Sequence, residues 1–269
     1  MQIWPTMTCP TSSGHRRTLA LLLPLAATLM PLAAHAQRET ATQFHSWYIY
    51  QGNHRLNDRW GLHTEYQWRR EDWGTTWQQS LTRLGLDYHT RSGATLTGGY
   101  GWIRSFPYGA QPIAQVTDEH RLWEQWIVRK AYPRAQSQHR VRLEQRWIES
   151  PAAWHFQQRV RYRWAVKVPV KGDVFLAAYD EIFAHIGFQK SDFLLDQNRF
   201  STTLGWQLNP TTDLQLGYLN QHIWKTNGLQ KENNHTLQLT LSASLDFRHA
   251  TPPTPAPTAP PAGHRRAHR

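Results

Sequence analysis

The stretch LQLTLSASLDF, residues 237–247, alternates without exception between apolar and polar residues. Its odd-numbered members are apolar and end on the aromatic Phe247, and its even-numbered members are Gln, Thr, Ser, Ser and Asp. A period of two residues puts the two sets on opposite faces of a β-strand. The stretch therefore predicts a strand that has an apolar environment on one side and a polar environment on the other.

The same alternation recurs along most of the chain, for example in WGLHTEYQWRR (60–70) and FQQRVRYRWAVKV (156–168). Most of the segments exceed the usual globular strand of about 5–6 residues and suit a tilted membrane-spanning strand of about 9–11 residues. The alternating segments are 43–51, 59–70, 77–89, 94–104, 117–130, 138–149, 155–169, 173–184, 198–209, 213–224 and 235–247.

The connections and the aromatic content favour a membrane barrel over the alternative, a secreted β-sandwich. Short connections built from Asn, Asp, Gly and Pro alternate imperfectly with longer ones such as 104–117 and 185–197, as in outer-membrane barrels. Thirteen tryptophans follow residue 36, and such rings are at home at the membrane–water interface. We predict an all-β, antiparallel transmembrane β-barrel over residues 37–248. A bacterial barrel has an even strand number, so we expect 10 or 12 strands, with 43–51 outside the wall or one strand still missed.

The N-terminus predicts export. Arg16 and Arg17 precede the apolar run TLALLLPLAATLMPLAA and the small residues of AHAQ, the order found in a secretory signal peptide. We expect residues 1–36 to be removed by cleavage after Ala36 and the protein to reach the bacterial outer membrane. The alternative, a membrane anchor, is disfavoured because Pro24 and Pro31 interrupt the run. Cys9, the one cysteine of the chain, leaves with the signal, which excludes disulfides and thiol chemistry.

Charge and composition indicate the partners. The formal net charge is +11, or +9 without Arg16 and Arg17. An exported chain meets little nucleic acid, so we expect none as a partner. Outer-membrane lipid and lipopolysaccharide are the predicted contacts of the basic surface. Residues 249–269 are rich in Pro, Ala and Thr and predict a disordered tail. A contact between this tail and peptidoglycan is the alternative.

Four motifs resemble a known family. DEHRLWEQ (118–125), RVRLEQRW (140–147), AYDEIF (178–183) and the stretch 196–221 occur in this order. They are similar to the signatures of a bacterial outer-membrane family classified as domain of unknown function 2490. The resemblance covers about residues 43–248. It implies an outer-membrane β-barrel and no particular activity. Glu124 departs from the pattern, which has an amide there.

The last strand resembles the C-terminal signal by which outer-membrane barrels are recognised by the barrel-assembly machinery. The resemblance implies that Phe247 is the terminal aromatic of that signal. The chain departs from the pattern because 22 residues follow Phe247.

The polar face of each strand is predicted to face the lumen, since an arginine on the lipid face costs about 2–4 kcal/mol near the midplane. Two functions follow. An excess of arginine predicts a narrow pore that favours anions. Pairing of the arginines with carboxylates instead predicts a plugged structural or surface-binding barrel. The predicted lumen polar network is Glu65, Arg69, Glu119, Arg121, Arg142, Glu144, Arg146, Arg159, Arg161, Arg163 and Arg199.

A lipid-modifying enzyme is a further hypothesis. His185, Ser191, Asp192 and Asp196 share one long connection, and Asp180 and Glu181 precede it. No G-x-S-x-G nucleophile motif is present. The histidines, including His249, His264 and His268, lack the spacing of a zinc site. We therefore predict no catalytic residues, no metal site and no cofactor.

Overall fold

The protein is a closed β-barrel of eleven strands in a computed structural model that describes residues 39–186, 195–225 and 230–248. The strands are long, which agrees with the long alternating segments of the sequence. Their bounds are β1 Glu39–Arg55, β2 Trp60–Glu71, β3 Thr76–His89, β4 Thr95–Ser105, β5 Thr117–Tyr132, β6 Ala135–Glu149, β7 Trp154–Lys171, β8 Val174–Ile186, β9 Leu195–Asn209, β10 Thr212–Trp224 and β11 Gln230–Ala243.

The prediction of 10 or 12 strands is wrong, and so is the prediction of a purely antiparallel barrel. Sequence neighbours pair antiparallel, but β1 and β11 close the barrel in parallel, from Glu39 opposite Gln230 to Gly52 opposite Ala243. The segment suspected of lying outside the wall is β1, which pairs with β2 on its other side. The even-number rule assumes that both chain ends lie at the same end of the barrel. Parallel closure puts Glu39 and Ala243 at opposite ends instead.

The barrel therefore has two distinct ends. One carries the connections 56–59, 90–94, 133–134, 172–173 and 210–211 together with residues 244–248, and we call it the turn end. The other carries the connections 72–75, 106–116 and 150–153 together with the start of β1, the end of β8, the start of β9, the end of β10 and the start of β11, and we call it the loop end. Residues 187–194 and 226–229 lie outside the described residues.

The two faces of the wall have opposite chemistry. Large apolar side chains point outward and are exposed, as Leu84 (56%) and Trp126 (49%) are. Charged and amide side chains point inward and are buried, and Glu144 and Arg142 are at most 1% exposed. This arrangement is the reverse of that in an ordinary globular domain. The alternation that predicted the strands thus separates an apolar exterior from a polar interior.

The predicted strand 235–247 is displaced in the structure, where β11 begins at Gln230 and ends before Phe247. β11 ends at Ala243, and the chain then continues alongside the end of β1. The backbone N–H of Arg55 donates to the carbonyl of Leu245 at 2.8 Å, and the N–H of Phe247 donates to the carbonyl of Arg55 at 2.8 Å. Phe247 is 54% exposed at the turn end.

Helical structure is minor. Asp72–Gly74 forms one turn of 3-10 helix at the loop end. Within the described parts of the chain, no helix is long and apolar enough to cross a membrane.

Candidate functional site in the barrel lumen

A buried network of charged side chains crosses the lumen, and Glu144 on β6 is its centre. Glu144 Oε1 accepts from Arg161 Nη1 at 2.7 Å and from Arg121 Nη1 at 3.1 Å. Its Oε2 accepts from Arg159 Nη2 at 2.7 Å, and Arg83 Nη2 lies 3.8 Å from Oε1. The carboxylate is fully buried. Four guanidinium groups from three strands thus converge on one carboxylate.

Glu181 and Glu65 extend this network across the barrel. Glu181 Oε1 accepts from Arg140 Nη2 at 2.5 Å and lies 2.8 Å from Arg161 Nη2. Glu65 Oε1 accepts from Arg83 Nη1 at 2.7 Å. Burying charges is tolerated only when each is paired and hydrogen-bonded. We refer to this set as the ionic layer: Glu65, Arg83, Arg121, Arg140, Glu144, Arg159, Arg161 and Glu181.

Two further carboxylates hold arginines nearer the loop end. Glu119 accepts from Arg121 Nε at 2.8 Å and from Arg146 Nε at 2.8 Å. Asp196, at the start of β9, accepts from Arg159 Nη1 at 2.7 Å. These pairs connect the ionic layer to the mouth of the barrel.

Four arginines of the predicted polar network have no carboxylate oxygen within 4 Å among the described residues: Arg69, Arg142, Arg163 and Arg199. Amides and aromatic rings take the place of carboxylates. Arg142 donates to Gln125 Oε1 at 2.7 Å and lies 4.7 Å from the Trp123 ring centre. Arg163 faces the Tyr179 ring at 5.4 Å. Aromatic faces attract a guanidinium group but do not neutralise it, so the lumen keeps a positive surplus.

Every residue of the predicted polar network points into the lumen, and the structure adds members that the prediction omitted. The omitted residues include Arg83, Arg140 and the buried ring of Trp47. Arg83 and Arg140 occupy inward positions of alternating strands, so the period of two could have identified them. Trp47 carried no such signal, because an inward tryptophan breaks the rule that apolar residues face outward.

Three cavities lie in series along the lumen. A cavity of 530 Å³ at the turn end, the turn chamber, is lined by polar groups that include Gln51, Arg163 and Gln238. A cavity of 210 Å³ at the loop end, the loop chamber, is lined largely by arginines. Between them lies a middle cavity of 70 Å³ that shares Arg199 with the loop chamber and Arg163 with the turn chamber. The ionic layer thus constricts the lumen at its middle.

The connection 106–116 covers the loop chamber. Tyr108 and Ile113 line that chamber. The Tyr108 hydroxyl donates to Glu232 Oε2 at 3.5 Å, and the N–H of Gly109 donates to Glu71 Oε2 at 2.9 Å. Burial and the nearby Glu232 carboxylate raise the pKa of the Tyr108 hydroxyl. The phenol therefore stays protonated and keeps donating at neutral pH.

The residues considered for an enzyme do not form a catalytic set in the described structure. His185 Nε2 lies 3.4 Å from Asp196 Oδ1, but Asp196 is also held by Arg159. Glu181 belongs to the ionic layer, and Asp180 accepts from Asn198 at 2.9 Å. Ser191 and Asp192 lie outside the described residues, as do His249, His264 and His268.

Within the residues that the structure describes, no group of three or more His, Cys, Asp or Glu side chains could hold a metal ion.

Comparison with known families shows the family to which the chain belongs. Residues 44–233 match the family described as Protein of unknown function (DUF2490), and the chain belongs to that family. No curated protein and no solved structure matches the chain. The resemblance drawn from the four sequence motifs is confirmed.

Proposed function

We propose that this member of the DUF2490 family is an integral outer-membrane β-barrel whose lumen is sealed by the ionic layer. In this proposal the protein acts as a structural or surface-binding barrel rather than as a permanently open channel. The observation that supports this proposal is that the two faces of the wall differ, because an exposed apolar exterior surrounds a buried charged interior.

The exterior supports a membrane location because so much of it is apolar. Exposed outward side chains occur on every strand, and examples are Tyr66 (43%), Phe200 (48%) and Leu216 (44%). Soluble monomers rarely expose contiguous apolar patches larger than a few hundred Å². A closed barrel satisfies its backbone hydrogen bonds internally, as lipid requires.

Three features support the outer membrane as the proposed location of the protein. The N-terminal sequence has the order of a signal peptide, barrels of this kind belong to that membrane, and the family resemblance implies it. Short connections usually face the periplasm, so we assign the turn end to the periplasm and the loop end to lipopolysaccharide. Arg248, the last residue before the tail 249–269, then lies on the periplasmic side, and a contact between the tail and peptidoglycan is part of this proposal. Phe247 would be recognised there by the barrel-assembly machinery.

Closure of the lumen is supported by the constriction between the chambers. The middle cavity holds only 70 Å³, and Glu65 and Glu181 in its lining hold Arg83, Arg140 and Arg161 in ion pairs. Breaking a buried ion pair by removing one partner costs about 3–5 kcal/mol, so spontaneous opening is rare. Tyr108 and Ile113 also cover the loop end.

Fractionation of Gram-negative cells that express the full chain tests the membrane location. We expect the protein in the outer-membrane fraction, resistant to carbonate and salt extraction, with a mobility on a denaturing gel that changes on boiling. Recovery as a soluble periplasmic protein would contradict the proposal.

A narrow anion-favouring pore is the second candidate, and the four arginines without a carboxylate favour it. Arg163 lines both the turn chamber and the middle cavity, so it lies where a passing anion would be attracted. If the lumen conducts, Arg161→Glu combined with Arg163→Glu should reverse the preference for anions, as measured by the reversal potential in a salt gradient. An unchanged reversal potential would remove these arginines from that role.

A further inference from the structure

The loop chamber has an unusually positive lining. Of its lining residues, seven are arginines and one, Glu119, is a carboxylate. Glu119 is already shared by Arg121 and Arg146. The seven are Arg69, Arg83, Arg121, Arg146, Arg159, Arg161 and Arg199.

Within the part of the chain that the structure describes, Arg69 and Arg199 are the members of this lining that lack a carboxylate partner. Arg69 donates to Gln67 Oε1 and, through Nη1, to Gln79 Oε1 at 2.7 Å. The amide of Gln197, with its oxygen toward Arg199, accepts from Nη2 at 2.9 Å. Neutral amides satisfy these donors without cancelling their charge.

The two guanidinium groups also share one aromatic partner. Both pack on the Trp47 ring, with centroid distances of 3.9 Å for Arg69 and 5.1 Å for Arg199. Trp47 is itself fixed, because its indole N–H donates to Gln78 Oε1 at 2.8 Å. Like charges repel strongly in a medium of low polarity. A bound anion in the chamber that both arginines line would offset this repulsion.

We propose that the loop chamber is a binding site for a small polyvalent oxyanion of the phosphate class, held by Arg69 and Arg199 beneath the connection 106–116. Guanidinium groups bind phosphate oxygens through two parallel hydrogen bonds, a geometry that amides do not offer. The volume of 210 Å³ exceeds the roughly 30 Å³ that one water occupies. It is smaller than the pockets of about 300–1,000 Å³ that take larger organic ligands.

The covering connection supplies the means of enclosing the anion. Tyr108 reaches inward to Glu232, its ring edge meets His45 at 5.5 Å between centroids, and the Gly109 N–H is held by Glu71. These contacts join the connection to β11, β1 and β2. The anion would be excluded from water, which strengthens its contacts with the arginines. The site requires only the barrel fold and is independent of the membrane location.

Isothermal titration calorimetry of the folded full chain with inorganic phosphate tests this site. The protein is held in a maltoside detergent, which carries no phosphate headgroup, and sodium chloride at equal ionic strength is the reference titrant. We expect saturable binding of phosphate at one site and none of chloride. Arg69→Gln and Arg199→Gln should each weaken it by about tenfold or more, the loss expected for one charge-assisted pair.

Arg104→Gln is the matched control. Arg104 lies on the exposed outer face, where it is bonded to Asp118 at 2.9 Å, and phosphate affinity should not change. Arg69→Lys keeps the charge but loses the two parallel hydrogen bonds of the guanidinium group, so this variant should bind phosphate weakly. Its phosphate affinity tests the proposal if the glutamine variants do not fold. Absence of saturable heat in the wild type, or equal affinity in the Arg69 variants and the wild type, would overturn the proposal.

Discussion

The inner and outer faces of this barrel are built from the same eleven strands but follow opposite rules. On the outer face, Leu84 and Trp126 are exposed, and an apolar side chain needs no specific hydrogen-bonding partner. Inside, Glu144 and Arg142 are buried and depend on partners from other strands. The specific interactions of this fold therefore lie in its interior and not on its exterior. An inward substitution should therefore lower the free energy of unfolding when it leaves a buried charge without its partner. An outward substitution should do so only when it places a charge in the lipid.

Loss of the central carboxylate should have the largest effect. Glu144→Ala leaves four arginines of the ionic layer without their shared partner, and we expect it to lower the free energy of unfolding by about 3–5 kcal/mol. Urea unfolding of the protein folded into lipid vesicles measures this. The control is Glu124→Ala, because Glu124 lies on the outer face, where it accepts a hydrogen bond from Gln145 at 3.1 Å. Equal losses in both variants would show that the interior holds no special network.

A charge on the outer face should be the next most costly change. Leu84 lies near the middle of β3, and Leu84→Arg should cost about 2–4 kcal/mol in a bilayer. Leu208→Arg, at the end of β9 beside the turn end, should cost about 0–1 kcal/mol. Refolding into vesicles followed by equilibrium unfolding gives both values. If position along the strand makes no difference, the outer face does not contact a bilayer.

Two adjacent glycines compare the packing of the faces directly. A Cβ at Gly99 would lie 2.7 Å from Trp123 Cζ2 and 2.8 Å from the Cα of Gly85, whereas a Cβ at Gly98 would meet no atom within 4 Å. Gly99→Ala should therefore destabilise by about 1–3 kcal/mol, the usual effect of overpacking. Gly98→Ala should be nearly neutral in the same unfolding assay. A neutral Gly99→Ala would mean that the interior is loosely packed.

The smallest effect should come from the hydroxyl that holds the covering connection. Tyr108→Phe removes the hydrogen bond to Glu232 and should cost about 0.5–1.5 kcal/mol. Tyr132→Phe is the control, since Tyr132 is half exposed at the turn end. Hydrogen exchange of residues 106–116 should rise in the first variant alone. Unchanged exchange would show that other contacts fix the connection.

Much of this fold could be predicted from the sequence, because one local rule governs it. The period of two identified the long strands, their two faces and the inward position of residues such as Glu144 and Arg161. The strand number could not be obtained in this way. Closure depends on how β1 meets β11, which is a pairing between segments almost 200 residues apart, and no local pattern encodes its direction.

The pairing within the site was only partly accessible. Alternation gives the face of a side chain but not its height relative to other strands, so the convergence of four arginines on Glu144 was not predictable. Trp47 and Trp123 are apolar residues on the inner face, where the alternation rule predicts polar ones. Their packing against Arg69 and Arg142 depends on the register of distant strands.

Single-channel recording in a planar bilayer tests the central claim, that the ionic layer seals the lumen, most directly. Wild-type protein should be shown to be folded by its heat-dependent gel mobility and to be inserted by protection from protease. Inserted wild-type protein should give no discrete conductance steps at moderate voltage. Regular steps from the wild type, with a preference for anions, would contradict the sealed barrel and favour the arginine-lined pore.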